Sequence, residues 1–294
     1  MSAAAAVFRA SNTALITGAG SGVGLAVAKL CASHSMNLIL VDRDDSKLKE
    51  AKSSISSKGT VDTHSMDVGS TSDWSTLKQN VEKGGTKLDF LHLNAGIGLK
   101  GDWMDGSYFH KIFETNFFGV INGINTFFPH FESNSSSPKA IIVTGSKQGI
   151  TNPPGNAAYN TSKSAIKTIT EHLSFDLAKS SPSTSVHLLV PGWTFTGLTG
   201  GGGMKEKPAG AWSAEQVADY LYKKMSDGKF YVICPDNDVD WETDRKRMTW
   251  TCADDPQMGD VVYERQPQSR WRDEYKEEAQ KTMDGMKLGQ RQMD

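Results

Sequence analysis

An α/β fold built on one doubly wound, Rossmann-type parallel sheet of about seven strands, with helices on both faces and a charged C-terminal extension, is the architecture this sequence predicts. Three observations carry it. Short apolar runs alternate with longer segments of helical period as far as Cys234, the first run passes directly into a glycine-rich turn that opens a helix, and the composition changes after Cys234. At 294 residues the chain can bury a substantial core. The reading is a single domain over 1–294, its core from about 12 to 234 and its extension from about 235 to 294.

The expected strands are Ala14 to Thr17, Asn37 to Val41, Val61 to Met66, Phe90 to Leu93, Ala140 to Thr144, Val186 to Val190 and Phe230 to Cys234, each brief and rich in Val, Ile, Leu or Phe. Helical period is expected at Gly22 to Ser33, Ser46 to Ser56, Ser72 to Lys83, Tyr108 to Phe131, Ala157 to Lys179 and Ala214 to Met225. Right-handed crossovers fold this order most simply into one sheet covered on both faces. Asn134 to Pro138 reads as a serine-rich surface loop and Gly200 to Gly203 as a flexible run. Beyond Pro235 the chain is charged, and a helix is expected only near Arg272 to Met286. Trp241, Trp250 and Trp271 predict that this segment packs against something, a neighbouring subunit included, rather than forming a disordered tail.

Lys plus Arg number 32 against 34 for Asp plus Glu, so no global field recruits nucleic acid or an anionic membrane. Cys31, Cys234 and Cys252 are odd in number and form no Cys-x-x-Cys pair, which fits neither a disulfide framework nor a zinc site and favours a reducing compartment. With no apolar run of signal-peptide or membrane-spanning quality, a cytoplasmic protein is expected. The seven histidines show no His-x-x-x-His spacing, so no metal is expected, and no Gly-x-Ser-x-Gly elbow occurs.

The first strand runs into Thr17-Gly18-Ala19-Gly20-Ser21-Gly22-Val23-Gly24. Glycines permit a tight turn and close backbone approach, so main-chain N–H groups and the helix N-terminus can hold a pyrophosphate. A glycine-rich turn alone is a weak signal, being also an ordinary strand-to-helix connection. Opening the first βαβ unit, it points to dinucleotide binding. The second strand ends at Asp42, placed to accept hydrogen bonds from an adenosine ribose and to repel a 2'-phosphate, which favours NAD. Arg43 keeps NADP open, since its guanidinium can pair with that phosphate.

Tyr159 and Lys163 stand at i, i+4 near the start of a long helical pattern, on one face a turn apart. A free phenol titrates near 10, too high for an efficient base at neutral pH, and a neighbouring cation together with an oxidised nicotinamide would lower it. Such spacing is common on ordinary helices, and the surroundings decide. Ser146 follows a strand end, where open α/β sheets place ligands, and its hydroxyl can orient a substrate oxygen; a lone serine there is also a turn former. Asn116 is an amide in an otherwise apolar helix, either holding a water that links Lys163 to solvent or bonding a bent helix backbone.

With these motifs in order, the chain resembles the short-chain dehydrogenase/reductase family, the branch with a Thr-Gly-x-x-x-Gly-x-Gly turn and a Tyr-x-x-x-Lys active site, over roughly its first four-fifths. The resemblance implies an NAD(P)-dependent oxidoreductase moving a hydride between a nicotinamide and a carbonyl or alcohol carbon. It makes Asn116, Ser146, Tyr159 and Lys163 the catalytic residues, Lys163 also bonding the nicotinamide ribose. It assigns Asp67 and Val68 to adenine, Asn94, Ala95 and Gly96 to the cofactor's flank, and the Pro191-Gly192-Trp193-Thr194-Phe195-Thr196 segment to the carboxamide. Leu93 stands where a second asparagine is common and Thr194 where an aliphatic residue often is. Both bear on cofactor affinity more than on proton transfer.

By the same resemblance, Thr196 through Pro208 is a substrate lid. Trp193, Phe195, Met204 and Trp212 offer an apolar wall suited to an aromatic or polycyclic ketone, or simply core packing, and Gln148 and Asn156 offer polar contacts. The family usually assembles through the two long helices, so a homodimer or homotetramer is implied. Two other readings stay open. One is a non-catalytic dinucleotide-binding sensor or scaffold; the other is a non-redox epimerase or dehydratase on the same fold.

Overall fold

The computed structural model describes residues 5–132, 136–200, 206–252 and 276–285, with the side chains of 249–252, 276–279 and 282 excepted. Met204, Trp271, most of the serine-rich loop's first half, Gly201 to Gly203 and both ends of the expected last helix lie outside the described residues, as do the side chains of Trp250 and Cys252.

Seven parallel strands form one sheet in the order β3-β2-β1-β4-β5-β6-β7. They are β1 (Thr13–Thr17), β2 (Asn37–Asp42), β3 (Val61–Ser65), β4 (Phe90–Leu93), β5 (Lys139–Thr144), β6 (Thr184–Val190) and β7 (Tyr231–Ile233), each within two residues of its expected bounds. The helices are α1 (Gly22–Ser33), α2 (Asp45–Ser54), α3 (Thr71–Lys83), α4 (Gly106–Phe113), α5 (Gly119–Phe131), α6 (Gln148–Thr151), α7 (Ala157–Ser180), α8 (Ala214–Ser226), α9 (Trp241–Cys252) and α10 (Lys276–Gly285).

Because successive strand residues point to opposite faces, the sheet feeds two cores. Ile16, Leu40, Phe90 and Ile142 meet α1, α2 and α8 on one side. Leu15, Val41, Leu91 and Val143 meet Trp74 of α3, Phe127 of α5 and Ile166 of α7 on the other. The chain winds from β1 outward to β3 and returns to place β4 on the other flank of β1. The strand order therefore reverses between β1 and β4, and at such a switch point the carboxyl ends of the strands leave a crevice for a ligand.

Two departures from the sequence reading matter for the site. The segment expected as one helix from Tyr108 to Phe131 is broken by a π-helical turn, Glu114–Phe118, between α4 and α5. The apolar period does not reveal this π turn, because the buried residues Tyr108, Ile112, Asn116 and Val120 recur every fourth residue straight through it. The extension also contains α9, where no helix was expected. Its residues, Trp241–Cys252, carry charges around the helix rather than a continuous apolar stripe, and among its described side chains the one completely buried is Asp244.

Candidate functional site

The strand ends of β1 and β4 are tied together before any ligand is considered. The Thr17 hydroxyl accepts the Asn94 and Ala95 amides at 2.9 and 3.1 Å, and the Asn94 side chain donates to the Thr17 carbonyl at 3.2 Å. That leaves the Asn94 carbonyl oxygen for the Thr144 hydroxyl at 3.1 Å, and Thr144 in turn meets His92 Nε2 at 2.9 Å. A polar chain thus crosses β1, β4 and β5 beneath the crevice.

Above it lies the glycine-rich turn. Gly18 and Gly22 take φ of +64° and +54°, in the left-handed region where a side chain is strained. Gly24 has ordinary φ but no room: a Cβ there would lie 2.2 Å from the Gly18 carbonyl oxygen. The turn is pinned to the end of β2, where Asp42 accepts the Gly20 amide at 3.0 Å and the Asp44 amide at 3.1 Å. Ser21 occupies the N-cap position of α1 without a side-chain capping bond, and Val23 packs partly on the core. Arg43 is exposed at the end of β2. Thr196 closes over the turn, its methyl 3.1 Å from where a Gly22 Cβ would stand. A cavity of about 370 Å³ runs from Gly22 past Phe195, Thr196 and Gly197 to Ser213 and Glu215 at the start of α8.

After β3, Asp67 is exposed and accepts the Gly69 amide at 2.8 Å, while Val68 is buried and its carbonyl accepts from Trp74 and Asn122. Pro191 to Thr196 leave the end of β6. Thr194 is buried and pairs in a β-bridge with Trp212, and Trp193 is 41% exposed.

Tyr159 and Lys163 emerge from the first turns of α7. Tyr159 has the Ser146 side chain beside its phenol, and Lys163 Nζ lies 5.9 Å from the phenol ring centroid. Lys163 donates to the Thr144 carbonyl at 2.8 Å and is almost fully buried, which pulls its pKa down to about 8. Burial raises the Tyr159 phenol above its ordinary value, with the neighbouring Ser146 hydroxyl acting against that rise. Gly96 lies between the groups: a Cβ there would be 3.4 Å from Asn116 Oδ1 and 3.6 Å from Lys163 Nζ. The structure thus brings Asn116, Ser146, Tyr159, Lys163 and Gly96 to one place beside the glycine-rich turn.

Asn116 and Asn156 both make side-chain bonds to the backbone around the site. Asn116, in the π turn and wholly buried, clamps the backbone of Ile97: its oxygen accepts the Ile97 amide at 2.8 Å and its nitrogen donates to the Ile97 carbonyl at 3.0 Å and to Ser162 at 3.3 Å. Of the two readings of Asn116, the backbone bond is the one seen, although the backbone it bonds is a loop after β4 rather than its own helix. Asn156 caps α7 by accepting the Tyr159 amide at 3.2 Å, takes the Tyr108 hydroxyl, and donates to the Leu99 carbonyl at 3.2 Å. Its side chain braces the first turn of α7, a role readable from an asparagine just before a helix start. Gln148 is exposed and its amide donates to the Ser146 hydroxyl at 3.2 Å. Sequence reasoning missed Lys147, Asp236 and Asp244, which cluster behind Ser146 and come from segments too far apart for any spacing signal.

Among the described residues no group of His, Cys, Asp and Glu is arranged to hold a metal ion, and no helix is long and apolar enough to cross a membrane. A short chain dehydrogenase family model matches residues 12–206. An uncharacterized oxidoreductase of Staphylococcus saprophyticus is 28% identical over 193 residues, covering 64% of this chain and 81% of that protein. Among solved structures, a short chain dehydrogenase/reductase from Burkholderia phymatum in complex with NAD superposes with a TM-score of 0.68 at 27% identity, covering 76% of this chain and 89% of the other. A 3-ketoacyl-(acyl-carrier-protein) reductase from Brucella melitensis complexed with NADH gives 0.65 at 25% identity, covering 74% and 91%.

Proposed function

Since the chain belongs to the short chain dehydrogenase family, we propose that it is an NAD(P)-dependent oxidoreductase interconverting a ketone or aldehyde and the corresponding alcohol. The observation that carries the reading is the Tyr159 phenol beside Ser146, with the Lys163 ammonium one helical turn away and 5.9 Å from the phenol ring, beside the switch point of the sheet.

The residues fit a dinucleotide. Gly18 and Gly22 in the left-handed region, and Gly24 with no space for a Cβ, make a turn whose backbone can approach a pyrophosphate at the start of α1. In this proposal Gly18, Ser21, Gly22, Val23 and Gly24 hold the pyrophosphate, Asp67 and Val68 the adenine, Asn94, Ala95 and Gly96 the middle of the cofactor, and Pro191, Gly192, Thr194 and Thr196 the carboxamide end. When bound, the nicotinamide supplies or takes up the hydride.

Ser146 orients the substrate oxygen, and Tyr159 gives it a proton in reduction or takes one in oxidation. Burial keeps the phenol protonated in the absence of other charges, which suits proton donation to a carbonyl. Lys163 stabilises the tyrosinate left behind and holds the nicotinamide ribose. Asn116 keeps the Ile97 backbone, and with it Gly96, in place beside Lys163.

We assign NAD as the preferred cofactor, because Asp42 holds its carboxylate at the turn that would face an adenosine ribose. Arg43 beside it leaves NADP as the second candidate. The substrate is a small organic molecule, an aromatic or polycyclic ketone suiting Trp193 and Phe195. Exposed Phe118 and Phe175, on the π turn and α7, support assembly of two or four copies through these helices. The buried free thiols of Cys31 and Cys234 support a cytoplasmic protein. Titration with NADH and NADPH, followed by absorbance at the dihydronicotinamide band over a carbonyl panel, tests the proposal. Stoichiometric oxidation of one coenzyme is expected; binding without oxidation of either across the panel favours a sensor.

A further inference from the structure

Lys147 follows Ser146 directly, and its side chain turns away from the crevice into the protein. Its ammonium lies 3.2 Å from Asp236 Oδ2 and 2.7 Å from Asp244 Oδ2, with the Lys147, Asp236 and Asp244 side chains 12%, 6% and 0% exposed. Asp244 belongs to α9, and Asp236 to the turn that leads into it. Both carboxylates lie beyond the family-matched region, which ends at residue 206.

The same atoms grip the segment proposed to hold the carboxamide. Asp236 Oδ2 accepts the Trp193 amide at 3.2 Å, and the Lys147 amide donates to the Pro191 carbonyl at 3.2 Å. Gly192 lies against the pair so closely that a Cβ would stand 2.6 Å from Asp236 Oδ2 and 2.9 Å from Lys147 Cε. The other carboxylate oxygen of Asp236 accepts the Asp238 and Val239 amides at 3.2 and 2.8 Å, closing the turn. Next along, the Asn237 amide donates to the Gly210 carbonyl at 3.0 Å, and a Cβ on Gly210 would meet Asp238 Oδ2 at 2.0 Å. Gly210 precedes Ala211 and Trp212, the stretch that bonds Trp193 and Phe195 through backbone bonds of 2.9 and 2.8 Å. One buried cation therefore joins the Ser146 loop, the Pro191–Phe195 segment and the start of the extension.

We propose that Lys147, Asp236 and Asp244 are positioning residues, through which the C-terminal extension sets the spacing between the Ser146 hydroxyl and the carboxamide-binding segment. A purely stabilising role would not require the ammonium to be shared between a carboxylate that holds the Trp193 amide and one on α9. Burial raises the Asp244 pKa and the neighbouring Asp236 charge adds to that rise, while Lys147 and, one turn along α9, Arg247 act against it, so the ammonium offsets two carboxylates that repel each other. The proposal rests on the assignment of Pro191 to Thr196 to the cofactor.

The test uses the full chain and its Lys147→Met, Lys147→Arg and Asp244→Asn variants, each checked for a cooperative melt. Dissociation constants for NADH and for ADP-ribose, which lacks the nicotinamide, are measured together with amide hydrogen exchange over residues 191–196. NADH binding should weaken by about tenfold in Lys147→Met and Asp244→Asn. ADP-ribose binding should stay unchanged, exchange at Trp193 should accelerate, and Lys147→Arg should recover most of the loss. Asp244→Asn preserves shape, so it decides the matter if Lys147→Met does not fold. Unchanged NADH binding and exchange in a folded variant, or equal weakening of both ligands, would overturn the proposal. A parent chain that binds NADH but reduces no carbonyl would sink the oxidoreductase reading while leaving this comparison intact.

Discussion

Tyr159 and Lys163 were legible because their chemistry lies on one helix: i, i+4 spacing alone puts the phenol and the ammonium within 5.9 Å of each other. Removing the phenolic oxygen in Tyr159→Phe should lower carbonyl reduction by about 10²- to 10⁴-fold, as measured by steady-state kinetics, with the NADH dissociation constant nearly unchanged. Gly24 was equally visible, although the reason it must be glycine was not. A Cβ at 2.2 Å from the Gly18 carbonyl oxygen cannot be accommodated without opening the turn. Gly24→Ala should therefore abolish NADH binding by fluorescence titration while the sheet stays folded. Asn116 was recognised as an amide out of place, but its partner was hidden. Its bonds reach Ile97 and Ser162, 19 and 46 residues away, and only the folded chain brings them together.

Among the elements, all seven strands and the main helices covering them could be read from alternation and apolar period, since the central strands β1, β2, β4, β5 and β6 are short and mostly buried, while the polar edge strand β3 contributes no buried residue. The π turn could not. It takes its reason from Asn116, which must face Ile97 from the middle of a helical stretch. Asn116→Leu leaves the Ile97 N–H and C=O unpaired in a part-buried loop, at about 1 kcal/mol for each group left without a partner, the low end of the range for buried groups. Urea unfolding should show a corresponding drop in midpoint, with turnover falling because Gly96 and Lys163 share that surface. The extension's α9 was missed for a related reason. It docks through Asp244 onto Lys147, and a helix attached by a buried ion pair shows no apolar stripe for a period analysis to find.

For the molecule as a whole, the doubly wound parallel sheet followed from the sequence, whereas its strand order and the polar chain inside it did not. His92 is completely buried on β4, and burial holds its pKa down at about 3. His187, on β6, is also buried and shifted down, as are the half-buried His64 and His130. In the unfolded chain these rings take up protons near pH 6.5 while His92 in the native state stays neutral. The stability it contributes is therefore complete above pH 6.5 and is lost as the pH falls toward about 3. At a single histidine the slope is about 1.4 kcal/mol per pH unit. Thermal melts should fall steadily from pH 6.5 to 5, and His92→Gln should flatten that decline. All of this frames one reaction, and isotope transfer reads it most directly. With the carbonyl substrate found in the panel and reduced coenzyme deuterated at both C4 positions, one deuterium is expected at the former carbonyl carbon, formed by the parent chain and suppressed by Tyr159→Phe. Product without deuterium at that carbon, or equal labelling by the phenylalanine variant at an undiminished rate, would contradict it.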